Sequence, residues 1–356
     1  MTRLLFRPLA ACLSIPLLAA AATPVVPLPA LSPQAASEFA HPHRLVDVGG
    51  GRRMNLDCRG AGAVTVVFDA GLNDWSSIWA LVQPQVASRT RACSYDRAGM
   101  GYSDPAQRAG SPLNIIDDLH TLLDKAGIAG PLVLVGHSLG GFNMKLYAAS
   151  YPSQVAGMVL VDPSEELGEQ RAGTALRARF GARAVQYRQS DRAEFVADMA
   201  QYSICSAAAR TRDLDPDSEI FKQCTDPVRT QFGPEIAAVR KTHQVGFAYQ
   251  AAQASELENS VYQVPANPAL DAYYAQLFGH PHALGNLPMV ILSRAIVSTV
   301  APYGDVENVE NVLLHEQTAA LSSRGVHRVV PNTHHNIEID DPQAVIDAIN
   351  QVLDLQ

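Results

Sequence analysis

Charge is scarce in this sequence, and positive charge scarcer still. Only 17% of its 356 residues are charged, and 27 Lys and Arg stand against 35 Asp and Glu, a formal net charge of -8. No basic stripe is available to neutralise phosphates, which argues against a nucleic-acid partner. The apolar run at the N-terminus, Leu9 to Ala22, falls short of the roughly twenty residues that a membrane span needs. No group of His, Cys, Asp and Glu has convincing metal-ligand spacing; His280-Pro281-His282 is short and isolated and reads as surface. Neither a metal nor another cofactor is expected. After residue 40 there is no internal repeat or low-complexity tract. What is abundant is apolar residue: 47% of the chain, enough for one large core or two ordinary domains.

Arg3 and Arg7 precede the N-terminal run, which closes on Leu18-Ala19-Ala20-Ala21-Ala22-Thr23. A charged start, a short apolar centre and a small-residue end predict a secretory signal peptide over residues 1–22, with a membrane anchor as the competing reading. Once it is removed, no stable membrane span is expected. Leu9-Ala10-Ala11-Cys12 imitates a lipoprotein cleavage site, but the apolar stretch follows that cysteine instead of preceding it. Residues 23–40, rich in Pro and Ala, read as a linker. Beyond them lie Cys58, Cys93, Cys205 and Cys224, an even number in a chain bound for the periplasm or the exterior. Four cysteines allow three pairings. Cys58 and Cys93 sit in strand-like segments and Cys205 and Cys224 share a helical region, so bridges Cys58–Cys93 and Cys205–Cys224 are expected, against free buried thiols.

Arg44 to Val48 and Arg53 to Cys58, separated by Gly49-Gly50-Gly51, read as a hairpin. Val64 to Phe68 is then a continuous β-branched run, the pattern of a strand buried on both faces of a parallel sheet. Similar runs recur at Ala92 to Tyr95, Leu132 to Val135, Met158 to Val161, Met289 to Leu292 and Val326 to Val330. Helix-like stretches lie between most of them: 77–87, 114–126, 142–150, 309–321 and 342–353. The alternation predicts an α/β fold, an eight-stranded mostly parallel sheet with helices on both faces. From Pro163 to about Gly285 no buried strand appears, only helix-like segments such as Glu194 to Tyr202 and Glu235 to Glu256. An insertion of that length cannot be a structureless loop. The division expected is a core of 41–163 and 286–356 with a helical cap of 164–285.

Gly136-His137-Ser138-Leu139-Gly140-Gly141 follows one strand directly and opens a helix. Glycines two residues either side of a serine suit a turn too crowded for side chains, which lifts the hydroxyl out of the sheet and sets it at a helix N-terminus. A serine hydroxyl needs a base to become a nucleophile. The loop after the last strand, Pro331-Asn332-Thr333-His334-His335-Asn336-Ile337, offers two. Asp96-Arg97 with Gly99-x-Gly101-x-Ser103 lacks the helix and full fingerprint of a dinucleotide site and reads as a structural turn.

Phe68-Asp69-Ala70-Gly71 after a strand, Tyr95 to Ser103, the serine motif, and His335-Asn336-Ile337-Glu338-Ile339-Asp340-Asp341-Pro342 together resemble the α/β-hydrolase superfamily, particularly bacterial esterase-like and lipase-like serine hydrolases. The resemblance covers residues 44–163 and 286–356. It implies Ser138 as nucleophile and a histidine in the loop after the final strand as base. The register before an apolar residue and Asp-x-Pro favours His335, with His334 as alternative. It also implies an oxyanion hole from the amides of Leu72 and Leu139; Ala70-Gly71 stands where many relatives carry His-Gly.

The acid is less plainly marked. Relatives usually keep an Asp after the seventh strand, where this chain runs Ser293-Arg294-Ala295-Ile296-Val297 with no carboxylate before Asp305. Some lipase-like members carry it after the sixth, which favours Asp162 over Asp305, Glu165 or Glu307. What the resemblance implies is cleavage of a carboxylic ester or similar small acyl compound through an acyl-enzyme, without a cofactor. An aminopeptidase or amidase, an acyltransferase and a non-catalytic binding protein remain alternatives. Tyr249, Tyr262, Tyr273, Tyr274 and Phe278 in the cap either suit an apolar substrate group or simply pack against the core.

Overall fold

Continuous runs of branched apolar residues fold as the interior strands of a single sheet. The computed structural model describes residues 31–262, 267–296 and 302–356, so the expected signal peptide lies outside the described residues. The strands are β1 (Arg44–Gly49), β2 (Arg52–Arg59), β3 (Thr65–Asp69), β4 (Arg91–Tyr95), β5 (Leu132–His137), β6 (Val155–Val161), β7 (Met289–Arg294) and β8 (Gly325–Val330). They lie in the order β1-β2-β4-β3-β5-β6-β7-β8. β2 pairs antiparallel with β1 and β4, and every other pairing is parallel.

Ahead of β6 come helices α1 (Pro33–Phe39), α2 (Gln83–Ala87), α3 (Pro112–Ala126) and α4 (Leu139–Ser150). Between β6 and β7 lie α5 (Gly168–Phe180), α6 (Ala182–Ala209), α7 (Glu219–Cys224), α8 (Gly233–Gln244), α9 (Phe247–Glu258) and α10 (Pro268–Phe278). α11 (Gly304–Ala319), α12 (Ile337–Asp340) and α13 (Pro342–Leu353) complete the described fold. The helix boundaries follow local chemistry. Ser111 and Asp341 accept hydrogen bonds from the amides of Asn114 and Ala344, and a proline fills the first position of α3 and of α13. Each such cap is worth about 1 kcal/mol.

Alternate residues of the strands feed two apolar layers. Leu132 and Leu134 of β5 join Met158 and Leu160 of β6 on the face covered by Leu119 of α3 and Phe142 of α4. Val133, Val135, Val159 and Val161 point the other way, onto Trp79, Val345 and Ile349. Burying each such side chain contributes about 1.5–3 kcal/mol. These two layers fix the ends of β5 and β6, where the serine and the first acidic residue sit.

Two expectations need correction. Residues 33–39 form helix α1 where a linker was expected: Ser32 caps it, and Ala36 and Phe39 are buried in the layer around Trp79. A helix of 7 residues is too short to display a period in sequence. The helical stretch read as Glu235 to Glu256 is broken into α8 and α9 where Gly246 leaves the helical conformation. Among the described residues no helix is long and apolar enough to cross a membrane.

Cys58 and Cys93, register partners on β2 and β4, are disulfide-bonded, and a second bridge joins Cys205 of α6 to Cys224 of α7. Both members of the second bridge are buried, with Ala209 and Leu214 packed around them. Its loop spans a sequence separation of 19, for which chain entropy gives about 3 kcal/mol. Cys205→Ala with Cys224→Ala is therefore expected to lower Tm by several degrees in a scan without reductant. An unchanged Tm would show that the bridge carries no stability.

Candidate active site

β5 ends in a bend that only its sequence permits. Ser138 adopts φ 51, ψ -121, between the strand and the first turn of α4. A Cβ on Gly136 would overlap the Gly140 carbonyl, and one on Gly140 would overlap the carbonyls of Asp69 and Ala70. The glycines thus let the backbone close on itself and on the end of β3, and the serine pays the conformational cost of the bend. Its N–H donates to Val161 O at 3.1 Å, and its own carbonyl accepts from Ser164 N at 2.9 Å, so the bend is stitched to the loop after β6.

That loop starts with Asp162, also at positive φ (41). Its buried Oδ2 lies 2.6 Å from His335 Nδ1 and 2.6 Å from Arg294 Nη1, and its Oδ1 accepts from the Arg294 N–H at 3.1 Å. Burial alone would raise this carboxyl; the hydrogen bond and charge of His335 and the Arg294 guanidinium outweigh it and hold Asp162 well below the usual carboxylate range. Arg294 Nη1 also approaches His335 Nδ1 to 3.2 Å. Both nitrogens are donors when Nδ1 bonds Asp162, so this is two donors crowding one oxygen. The His335 side chain remains 44% exposed.

The other candidates are engaged elsewhere. Asp305 stands exposed on α11, paired with Arg183 at 2.7 Å, and does not meet His335. Glu307 pairs with Arg294, and Glu165 with the fully buried Lys145 at 2.7 Å. His334 turns to Asp340, 3.1 Å from Nδ1, and is largely exposed. Sequence reasoning missed Arg294. Its signal was the gap it fills, a cation at the end of β7 where a carboxylate was sought.

The loop after β3 passes directly over the serine. A Cβ on Gly71 would lie 2.8 Å from His137 Nδ1 and 3.3 Å from Ser138 Cβ, which leaves no room for a side chain here. Among the described residues, neither the Leu72 amide nor the Leu139 amide donates a hydrogen bond. Buried Arg97 holds the loop, donating to Ala70 O at 2.7 Å, Gly71 O at 2.8 Å and Asp69 Oδ1 at 2.8 Å, and reaching Glu256 of α9 at 2.7 Å. Tyr249 of α9 donates to Asn73 O at 3.1 Å, and Arg229, just before α8, pairs with Asp74 at 2.9 Å. The segment from Asp96 to Ser103 is the structural turn expected: the Asp96 carboxylate accepts from the amides of Ser76 and Tyr102.

Ser138, Asp162, Arg294 and His335 line one cavity of about 720 Å³, walled by α5, α6 and α11. Of the aromatics singled out in the sequence, Tyr262 reaches it, while Tyr249, Tyr274 and Phe278 are buried and Tyr273 packs against the core. Tyr187 and Phe195 of α6, not anticipated, line it as well. Its rim mixes carboxylates and guanidinium groups: Glu310 pairs with Arg188, and Glu169 with Arg177 and Arg188. Asp191 of α6 also lines the cavity and has no ion-pair partner among the described residues; burial, then the nearby Glu310 charge, pushes it up to about 6.

The family described as alpha/beta hydrolase fold matches residues 64–203. A 2-(acetamidomethylene)succinate hydrolase of Mesorhizobium japonicum is 31% identical over 152 residues, 41% of this chain and 52% of that protein. A (lyso)-N-acylphosphatidylethanolamine lipase of Bos taurus is 30% identical over 102 residues, 28% of this chain and 30% of that protein. The match thus spans about half or less of these curated relatives. Among solved structures, a thermophilic esterase from Thermogutta terrifontis superposes with TM-score 0.54 and 18% identity, over 88% of this chain and 98% of that one. The enol-lactonase from Burkholderia xenovorans LB400 gives TM-score 0.54 and 16% identity, over 86% and 99%. Sheet order, the bend at Ser138 and these matches agree: the chain has the α/β-hydrolase fold.

Proposed function

We propose that the protein is an exported serine hydrolase that cleaves a carboxylic ester or similar small acyl compound through an acyl-enzyme. The observation that carries this reading is the 2.6 Å contact of Asp162 with His335 Nδ1 at a cavity that also exposes Ser138. Asp162 accepts a hydrogen bond from His335 Nδ1–H, which leaves His335 Nε2 with a free lone pair as general base. Nε2 takes the Ser138 proton as Oγ bonds to the acyl carbon. The Leu72 and Leu139 amides stabilise the oxyanion, a donor of this kind commonly being worth about 3 kcal/mol. His335 then protonates the departing alcohol oxygen as the acyl C–O bond breaks. Water, activated by the same nitrogen, releases the acid and restores the serine. The chemistry draws only on side chains, backbone amides and water.

Arg294 neutralises the Asp162 charge and orients it; in the reaction it competes with the imidazolium for the carboxylate. The helices between β6 and β7 act as a cap that sets acyl and alcohol size. Export rests on the N-terminal pattern and on the two disulfides, which suit the periplasm or the exterior.

Asp191 favours a second reading, an aminopeptidase or amidase, because that carboxylate can hold a substrate ammonium inside the cavity.

Wild-type protein is expected to hydrolyse short nitrophenyl esters, and Ser138→Ala to lose on the order of 10⁴–10⁶ in kcat. Equal rates in both proteins would remove Ser138 as nucleophile. Asp162→Asn, which favours the wrong His335 tautomer, is expected to lower kcat by roughly 10³–10⁴ with the fold intact. Aminoacyl anilides run beside the esters decide between the readings: turnover that Asp191→Asn weakens chiefly through KM supports the amidase, and esters alone support the first.

A further inference from the structure

His137, the residue before Ser138, is buried. His137 Nε2 lies 3.0 Å from the backbone carbonyl of His335, and the two rings pack with centroids 4.6 Å apart. A carbonyl only accepts, so Nε2 carries the proton and, in the neutral ring, Nδ1 presents a lone pair. Two features crowd Nδ1. A Cβ on Gly71 would lie 2.8 Å from it, so the loop after β3 rests on this edge of the ring. Glu338 Oε1, from α12, lies 3.4 Å away. Glu338 is completely buried; Oε1 accepts from Asn336 Nδ2 at 2.9 Å, and neither Glu338 Oε2 nor His137 Nδ1 has a hydrogen-bond partner.

An ionised carboxylate facing a lone pair, buried and without a cation, is an arrangement that no fold retains cheaply. We propose that Glu338 is a positioning residue: as a protonated carboxylic acid it donates to His137 Nδ1 and so holds His137 in the tautomer whose Nε2–H fixes the His335 backbone. The electrostatic setting agrees. Burial pushes Glu338 up to about 8, with the Asp74 charge adding to the rise and Arg229 opposing it. Burial, then the His335 charge, pushes His137 down to about 3, against Asp74 and Asp162, which raise it. The one proton these two residues share therefore belongs to the carboxyl.

Four parts of the site meet at this pair. His137 closes β5 beside Ser138, its Nδ1 edge supports Gly71 next to Leu72, its Nε2 grips His335, and Glu338 opens the segment after His335. When Glu338 ionises, the donor is lost and a negative charge faces the lone pair. His137 must then turn or take a proton, and either move releases the His335 carbonyl.

The role rests on the reading of His335 as general base, so the test has kinetic and non-kinetic arms. In kcat/KM profiles with a nitrophenyl ester, wild type is expected to show an alkaline limb near pH 8 that E338Q, which keeps an N–H donor but cannot ionise, lacks. At pH 7, E338Q should stay within about threefold of wild type, while E338L should lose roughly 10- to 100-fold in kcat with little change in KM. A group with a raised folded pKa stabilises most below its unfolded value and loses that contribution as pH rises through the folded one. Wild-type Tm should therefore fall relative to E338Q between pH 4.5 and about 8. ¹⁵N NMR should report an Nε2–H tautomer for His137 in all three proteins, with Nδ1 shifted toward the hydrogen-bonded value in wild type and E338Q and at the free value in E338L. An alkaline limb that survives in E338Q, a Tm difference independent of pH, or a His137 Nδ1 shift unchanged in E338L would overturn the proposal. If wild type hydrolyses no ester or anilide, the proposed function falls by itself, and the Tm and NMR arms still decide the pairing.

Discussion

One buried carboxylate oxygen organises this molecule. Asp162 Oδ2 takes a donor from His335 and a donor from Arg294, each at 2.6 Å, which brings the ends of β6, β7 and β8 to a single point. A charge held in the interior is tolerable only when it is paired and its remaining lone pairs are used, and the chain around Asp162 supplies both. The next residues are pinned in turn. Pro163 O accepts from His315 Nε2 at 3.0 Å, and Glu165 and Glu166 close on the buried Lys145 of α4. Because Lys145 rides on the helix that begins at Ser138, the carboxylate and the hydroxyl are indexed to each other through a rigid element instead of a loop.

The parts legible in sequence were those whose physics is local. Apolar runs of four or five residues, a serine between glycines, a proline after Asp341 and a histidine ahead of an apolar residue all announce themselves within a few positions. Asp162 could be favoured because it follows the sixth strand, where some lipase-like proteins that the chain resembles carry their acid, and the geometry brings it, not Asp305, to His335. What stayed hidden depends on residues far apart in the chain. Arg294 reads as a missing acid until β7 is laid beside β6, 132 positions away from its partner. Glu338 reads as an ordinary surface glutamate on a short helix until His137 is seen behind it. The cavity aromatics of α6 were unreadable because helical residues facing a void and residues facing a core have the same spacing. Helix α1 was lost to its length and to the prolines around it.

The buried polar groups are distributed unevenly, and the distribution has a sense. The apolar layers on the two faces of the sheet run almost without a polar interruption. Arg97, Asp69, Glu256, Asp74, Arg240, Lys145, Glu165 and Asp162 all gather at the C-terminal edge of the strands, where open α/β sheets place their ligand crevices. Such networks add little to net stability against an apolar equivalent, but removing one member strands the others. They fix a geometry, and geometry is what a two-donor oxyanion site requires.

The grip of the inserted helices on the Gly71–Asp74 loop has a mechanical corollary. Tyr249 of α9 bonds the Asn73 carbonyl, Arg229 ahead of α8 bonds the Asp74 carboxylate, and Glu256 of α9 anchors the Arg97 that holds the Gly71 carbonyl, so these helices grip the strip that carries the Leu72 amide. If those helices swung outward as a hinged door, they would peel that amide away from Ser138 while admitting a guest. Passage and competence are thus geared together on that side of the molecule.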